Sequence, residues 1–231
     1  MKTKFLALFL VLSAIVGAAC KSGQTSVTNG NSTTHMNHNN MNHNNMNHSE
    51  MNHGNMNHQP MNRDAMNHSE MKSSPNAANA PYDLQFLDTM IAHHQGAVDM
   101  AKMAAAKAEH AELKALAANV ITSQEKEIGE MKSWREKWFA GEAPAMNMEM
   151  AGMSDSMKDM DMTKLGSLTG NAFDLEFIEQ MIPHHEGAVI MAKEALQKSQ
   201  RAEIKNMANA IIRDQEAEIK QMKGWQAAWQ K

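Results

Sequence analysis

The sequence has one cysteine, Cys20, so it cannot form an intramolecular disulfide. Its one long apolar run, Phe5 to Ala19, is too short to span a bilayer as a helix. Basic side chains are not clustered and the formal net charge is −4. This charge pattern argues against nucleic-acid binding and against a polybasic membrane-binding surface, but it excludes neither a metal nor a protein partner. Any soft sulfur ligand must therefore come from the 24 methionines.

Residues 1–19 predict an export signal, because Lys2 and Lys4 precede the apolar run and small residues follow it. The stretch Gly17-Ala18-Ala19-Cys20 resembles a bacterial lipobox, in which Cys20 would be lipidated and become the mature N-terminus. Ordinary cleavage after Ala19 is the alternative, since the usual bulky residue three places before the cysteine is Gly17. We expect an extracytoplasmic protein of the periplasm or cell envelope, attached to a membrane only through a lipid at Cys20.

Residues 20–81 are rich in Asn, His, Met, Ser and Gly and contain few core formers, so we predict a disordered leader. A methionine recurs every fifth residue from Met36 to Met71, a period that matches neither a helix nor a strand. The repeat therefore indicates local metal chemistry. Its candidate ligands are Met36, His38, Met41, His43, Met46, His48, Met51, His53, Met56, His58, Met66 and His68.

A tandem duplication follows the leader. Residues 82–139 align with residues 173–230 at a constant offset of 91 positions, with 28 identities in 58 positions. Both copies consist of strong helix formers with apolar residues at helical spacing. Each copy, at residues 82–140 and 173–231, predicts an α-hairpin with a turn near His110 or Arg201, and two hairpins predict an all-α four-helix bundle.

The segment between the copies, residues 141–172, contains Gly, Pro, Ser and Asp and is predicted to be a flexible linker. A polar linker has little use for methionine unless the thioether binds a soft metal, so we include its methionines among the candidate ligands. They are Met146, Met148, Met150, Met153, Met157, Met160 and Met162.

Histidine and methionine share the core-facing stripe of each first helix. At 100° per residue, His93 and His94 lie on either side of Met90, on a stripe otherwise lined by alanines. A single inward histidine is usually a core residue, but two adjacent ones flanked by thioethers favour metal binding. Thioether with imidazole favours Cu(I), and Ag(I) by the same softness, over zinc, calcium or magnesium. The candidate ligands are Met90, His93, His94, Met100, Met131, Met181, His184, His185, Met191 and Met222.

Both copies carry a motif of a known family. "MIAHHQGAVDMA" and "MIPHHEGAVIMA", with the later "QEKEIGEMKSW" and "QEAEIKQMKGW", resemble the signature of the bacterial domain-of-unknown-function family 305, which includes CopM-like copper-binding proteins of the cell envelope. The resemblance implies a ferritin-like fold, copper binding through these same Met and His residues, and a role in copper tolerance. The family's usual proline is present as Pro183 but replaced by Ala92 in the first copy, so the two sites are expected to differ in geometry.

Enzyme signatures are missing from the sequence. No Ser, Cys or Asp lies in a recognisable nucleophile motif, and a di-iron oxidase needs Glu-x-x-His pairs that the second helices lack. We expect a protein that is not an enzyme and that sequesters or buffers Cu(I). The alternatives are a His-rich envelope lipoprotein for zinc, nickel or Cu(II), and a structural or interaction lipoprotein without metal. No protein partner is indicated.

Overall fold

The computed structural model describes residues 71–230, and within that range every regular element is helical. A short 3₁₀ turn, Ala77–Asn79, precedes the first α-helix. The four long helices are α1 (Tyr82–Lys107), α2 (Ala111–Phe139), α5 (Gly170–Lys198) and α6 (Ala202–Trp229), and two short helices, α3 (Met153–Lys158) and α4 (Met162–Ser167), join the pairs. None of the helices between residues 71 and 230 is long and apolar enough to cross a membrane.

The two predicted α-hairpins are confirmed. Helix α1 packs along α2 and α5 packs along α6, with the turns at His110 and Arg201 where the sequence predicts them. Each turn has the same construction, because the residue that follows the first helix donates its N–H to a carbonyl four residues earlier, Ala108 to Ala104 and Ser199 to Ala195. The all-helical fold class follows from the sequence repeat.

Helices α1 and α5 pack against each other and bring the two copies together in antiparallel orientation. Their crossing is marked by His93 and His184, equivalent residues of the two copies, whose ring centroids are 3.7 Å apart. The pair relates the hairpins by an approximate twofold axis. Around it lies a core that includes Phe86, Phe173 and Phe177, all fully buried.

Two polar clusters at opposite ends of the bundle join the copies crosswise. At one end, the buried Asp174 carboxylate accepts hydrogen bonds from the backbone N–H groups of Glu109 and His110 and lies 2.7 Å from His110 Nδ1. The His110 ring stacks on Trp229 at 3.8 Å. This arrangement ties the turn of the first hairpin to the start of α5.

The opposite end repeats this arrangement with the equivalent residues. Asp83 Oδ2 lies 3.2 Å from Arg201 Nε, and the Arg201 guanidinium lies 4.1 Å from the ring centroid of Trp138. Each copy therefore supplies an aspartate to one end of the bundle and a hairpin turn with a basic residue to the other. The turn of each hairpin is stabilised by the aspartate of the other copy.

The expectation of a flexible linker is wrong for residues 141–170. Met150, Met153, Met157 and Met160 are buried in the common core, and α3 packs on α5. Glycine makes this contact possible, because a Cβ at Gly187 would overlap Ser156 of α3. The charged residues of the segment are exposed while these four methionines pack inward, a periodicity too short for the sequence alone to indicate a helix.

The last residues of the predicted leader are also ordered. Ser74 donates its backbone N–H to the Met146 carbonyl at 2.8 Å, and Met148 donates its N–H to the Ser73 hydroxyl at 2.9 Å. Residues 71–81, which the sequence assigns to the leader, therefore belong to the described structure. Residues 1–70, which contain the predicted export signal and most of the leader, lie outside the described residues.

Replacing Asp174 with Ala should destabilise the metal-free protein. The N–H groups of Glu109 and His110 would lose their acceptor in a part-buried position, which costs about 3 kcal/mol of unfolding free energy. Asp83→Ala should cost less, because within residues 71–230 the equivalent carboxylate has only the Arg201 side chain as its ion-pair partner. The measurement is urea unfolding followed by circular dichroism.

Asp214→Ala is the matched control for this prediction. Asp214 is exposed and pairs only with its neighbour Arg213, so its loss should leave the urea midpoint unchanged. Equal midpoints for Asp174→Ala and Asp214→Ala would contradict the assignment of a structural role to Asp174.

Candidate metal site

The ten candidate ligands on the long helices are all buried. Each of them has a relative exposure of 0%. The helical wheel therefore assigns their direction correctly, but it says nothing about their height along the helix axes. Their positions along the helix axes divide the ten residues into separate groups.

The second histidine of each pair is held by a glutamate of the following helix. His94 Nε2 lies 2.8 Å from Glu127 Oε2, and His185 Nε2 lies 2.8 Å from Glu218 Oε2. A carboxylate only accepts hydrogen bonds, so Nε2 must be the protonated nitrogen that donates. This contact fixes the ring orientation of both histidines.

The other ring nitrogen of these histidines points into the protein interior. Among the described residues, Nδ1 of His94 and Nδ1 of His185 are buried and have no hydrogen-bond partner. With the proton on Nε2, Nδ1 of the neutral ring carries a lone pair. A carboxylate on one nitrogen and a metal on the other is the usual arrangement of metal-binding histidines.

Two buried methionines flank each of these histidine contacts along the paired helices. Because α1 and α2 are antiparallel, Met90 and Met131 lie on the same side of the contact between His94 and Glu127, each four residues or about one helical turn from it. Helical side chains lean toward the N-terminus, so the His94 ring lies over the turn that carries Met90. We name Met90, His94 and Met131 the first hairpin cluster.

The second hairpin repeats this geometry. Met181 and Met222 lie on the same side of the contact between His185 and Glu218, each four residues or about one helical turn from it. Met181, His185 and Met222 are the second hairpin cluster. The duplication therefore produces two equivalent groups of two thioethers and one imidazole nitrogen.

His93 and His184 form a separate group at the α1 and α5 crossing, where the linker covers them. His93 Nε2 lies 3.0 Å from the Ser156 hydroxyl. Near His184, the missing side chain of Gly96 leaves room for Met160 of the linker. Met160 is thus the linker methionine that the structure places next to a histidine ring nitrogen.

Met100 and Met191 lie farther along their helices from the paired histidines than Met90 and Met181 do. Met100 lies seven residues after His93, which is about 10 Å along the helix axis, and Met191 has the same relation to His184. Both pack in the core. Their position on the stripe is as predicted, but their height separates them from the two hairpin clusters.

The remaining linker methionines lie in the core or at its edge. Met150, Met153 and Met157 are buried, whereas Met146, Met148 and Met162 are half-buried. The predicted leader ligands, from Met36 to His68, and Cys20 lie outside the described residues.

Sequence reasoning missed Glu127, Glu218 and Ser156. The two glutamates are identical in both copies and each follows its histidine by 33 residues, which was the available signal. Ser156 carries no such signal, because it lies in the unrepeated linker. Across residues 71–230, no three His, Cys, Asp or Glu side chains come together as a metal site, so the described part offers no site built from those ligands alone.

Comparison with known proteins settles the family. Residues 21–135 and residues 83–226 each match the model of the family described as "Domain of unknown function (DUF305)". The chain belongs to the DUF305 family. The resemblance expected from the two His-His motifs is confirmed, and no curated protein matches the chain.

Solved structures with the same fold include the protein CopM. CopM in the Cu(II)-bound form is 48% identical, with a TM-score of 0.56, over 64% of this chain and 97% of CopM. The Cu(I)-bound and Ag-bound forms are each 46% identical, with a TM-score of 0.55, over 64% of this chain and 96% of CopM. A DUF305 protein from Streptomyces coelicolor is 28% identical, with a TM-score of 0.57, over 67% of this chain and 94% of its own.

The histidine tautomers can be measured without any metal. At about pH 8, where an ordinary imidazole is neutral, His94 and His185 should carry their proton on Nε2, as the contacts with Glu127 and Glu218 require. Long-range ¹H–¹⁵N spectra of protein labelled at histidine distinguish the two nitrogens.

His110 is the internal control in the same spectrum. Its Nδ1 lies 2.7 Å from Asp174, so it should show the opposite protonation. An unprotonated Nε2 on His94 and His185 would overturn the proposed orientation of their Nδ1 lone pairs.

Proposed function

We propose that the protein binds copper outside the cytoplasm and sequesters or buffers it as Cu(I), with Ag(I) as an alternative cargo. The observation that carries the proposal is the duplicated hairpin cluster. In each copy a glutamate orients the imidazole through Nε2, and the buried Nδ1 has no hydrogen-bond partner among the described residues. Two buried methionines lie about one helical turn away. The relationship to CopM, solved with Cu(II), Cu(I) and Ag, supports the same class of cargo.

The ligand types favour a soft ion. Thioethers add little affinity for zinc or nickel, whereas Cu(I) and Ag(I) accept sulfur readily. Four of the six residues in the two hairpin clusters are methionines, and all six are inaccessible to water. A His-rich zinc, nickel or Cu(II) protein, the alternative reading of the sequence, would have no need for these four thioethers.

Storage suits this site better than catalysis. The hairpin clusters lie within the core and their glutamates are only about one-sixth exposed, so a bound ion would be shielded from other reactants. Oxygen chemistry at copper needs an open coordination position, which two thioethers and an imidazole in a closed core do not provide. We therefore propose metal retention, without conversion of a substrate, as the role of the folded part.

The leader would increase capture. Its Met-Asn-His repeats supply many short ligand sets, and tethering several weak sites to one chain raises their effective concentration near the bundle. An export signal and a lipid at Cys20 would place the whole protein in the periplasm or cell envelope. This part of the proposal rests on the sequence alone.

The hairpin clusters can be tested by removing their sulfur at constant volume. Replacing Met90, Met131, Met181 and Met222 together with Leu should preserve the core, because Leu and Met have similar volumes. It should remove two tight Cu(I) equivalents from the full chain, since each cluster would retain only one of its three ligands. The measurement is an anaerobic Cu(I) titration against a chromophoric chelator.

The control variant replaces Met100 and Met191 with Leu. These methionines are equally buried but lie away from the hairpin clusters, so the variant should keep every tight equivalent. An equal loss of Cu(I) equivalents in both variants would show that the hairpin clusters bind the metal no better than other buried methionines do. Full Cu(I) retention by the fourfold variant would refute the proposed sites, and unchanged Zn(II) binding that exceeds Cu(I) binding would favour the harder-metal alternative.

A further inference from the structure

The two α-hairpins differ in the character of one outer face. Within residues 71–230, Ile190 of α5 is the one large apolar side chain that is exposed, with a relative exposure of 47%. The equivalent position of α1 is Asp99, whose carboxylate accepts a hydrogen bond from Gln95. The second hairpin therefore presents an apolar side chain to solvent where the first carries a charge.

Ile190 borders a surface groove between α5 and α6. Val189 and Ile219 line the groove with it, and the groove encloses about 400 Å³. The linker passes close beside Ile190, since a Cβ at Gly152 would lie 2.9 Å from the Ile190 Cβ, yet the linker leaves Ile190 exposed. Apolar surface that is contiguous and rimmed by polar side chains is typical of a protein-binding surface.

Four charged side chains flank the groove in an alternating pattern. Toward one end, Glu186 of α5 pairs with Lys223 of α6 at 2.7 Å. Toward the other end, Lys193 of α5 pairs with Glu216 of α6 at 2.8 Å. All four side chains are about half exposed. The sign of the charge therefore alternates both along each helix and across the groove.

The α5 part of this pattern is complementary to itself. Glu186, Ile190 and Lys193 follow one another at spacings of four and three residues, so they share one face of the helix. A twofold axis perpendicular to α5 and midway between Glu186 and Lys193 passes between Val189 and Ile190. Rotation about this axis lays a second copy antiparallel on the face. Glu186 of each copy then lies opposite Lys193 of the other, with the apolar residues between them.

The α6 part of the pattern obeys the same rotation. Glu216 and Lys223 are seven residues apart, and Ile219 lies near their midpoint. The rotation therefore brings Lys223 of one copy opposite Glu216 of the other. Each of the four charges on the face meets an opposite charge in this arrangement.

The first hairpin lacks this complementarity. It has Gln95 where α5 has Glu186, so Lys102, the equivalent of Lys193, would have no carboxylate opposite it on α1. The same rotation would bring Asp99 of two copies together at the centre of the contact, where like charges repel each other. Of the two equivalent hairpin faces, that of the second hairpin is the one suited to the contact, and a twofold axis closes the assembly at two copies.

We propose that the α5 and α6 face around Ile190 binds a second copy of this chain in an antiparallel twofold dimer. Burial of Ile190 and Ile219 supplies the attraction, because it removes apolar surface from water. The exposed charge pairs add little energy and set the orientation of the two copies. The contact is centred on few apolar side chains, so we expect a reversible dimer whose population rises with protein concentration. The dimer does not depend on copper binding.

The test is sedimentation equilibrium of the full chain up to millimolar concentration, with a metal chelator present so that no ion bridges two copies. We expect a monomer–dimer equilibrium. Ile190→Asp, which introduces the residue type found at the equivalent position of α1, should weaken association by about tenfold or more. Residues 1–70 are unchanged in this variant, so association through them would persist in it and would contradict the proposal.

Charge reversal tests the orientation of the copies. Lys193→Glu should weaken the dimer, because it places two carboxylates opposite each other across the axis. Lys102→Glu is the matched control and should leave the dimer unchanged. It breaks the equivalent ion pair of the first hairpin, in which Lys102 lies 2.8 Å from Glu125.

A fourfold variant reverses every sign of the pattern and keeps it self-complementary. Glu186→Lys, Lys193→Glu, Glu216→Lys and Lys223→Glu together should dimerise as strongly as the unchanged chain but should not form mixed dimers with it. A fluorescent label on one of the two chains detects mixed dimers by sedimentation velocity.

The outcomes separate the dimer from the proposed function. A full chain that stays monomeric at millimolar concentration, or one whose association is unaffected by Ile190→Asp, would overturn the dimer. Mixed dimers between the unchanged and the fourfold-reversed chain would overturn the charge pairing across the axis and with it the proposed arrangement. These results leave copper binding intact, because the Cu(I) titration of the Met→Leu variants tests it separately.

Discussion

The contact between His93 and His184, whose ring centroids are 3.7 Å apart, marks where α1 and α5 cross, and the rest of the bundle depends on that crossing. The antiparallel orientation of α1 and α5 brings each hairpin turn to the start of the other copy. Asp174 meets His110 at one end and Asp83 meets Arg201 at the other. The linker can cover the crossing only because glycine lies on both sides of it.

The helices of this fold could be predicted from the sequence, but the register between neighbouring helices could not. Helical spacing and an offset of 91 residues were sufficient for two hairpins and for the buried stripe. The wheel fixes an angle around one helix, so it groups Met100 with His93 by direction only, and the two residues are two turns apart along the axis. The partnership of His94 with Glu127 depends on the register of two helices, which neither helix encodes alone.

The linker shows a different limit of sequence reasoning. Its helices α3 and α4 have six residues each, too few for a hydrophobic period to be recognised. Their methionines are buried because α5 and α1 offer a surface to cover, a tertiary effect that composition does not reveal. Metal chemistry and core packing also compete for the same side chain here. A methionine at the edge of a core is suited to either role. Only its distance from a histidine nitrogen distinguishes a candidate ligand from a packing residue.

Charge is a further reason to propose a monovalent ion for the hairpin clusters. Thioethers and a neutral imidazole bring no charge, so an ion held by Met90, His94 and Met131 would be a bare positive charge in the core, at a large cost in desolvation. The carboxylate of Glu127, hydrogen-bonded to the far side of the same imidazole, supplies one compensating negative charge. For Cu(I) or Ag(I) the sum is neutral, whereas a divalent ion would leave one charge unpaired. Glu127 and Glu218 are about one-sixth exposed, so before metal arrives their own charge keeps contact with water. The cluster can therefore remain stable without its ion and still favour a single positive charge when one enters.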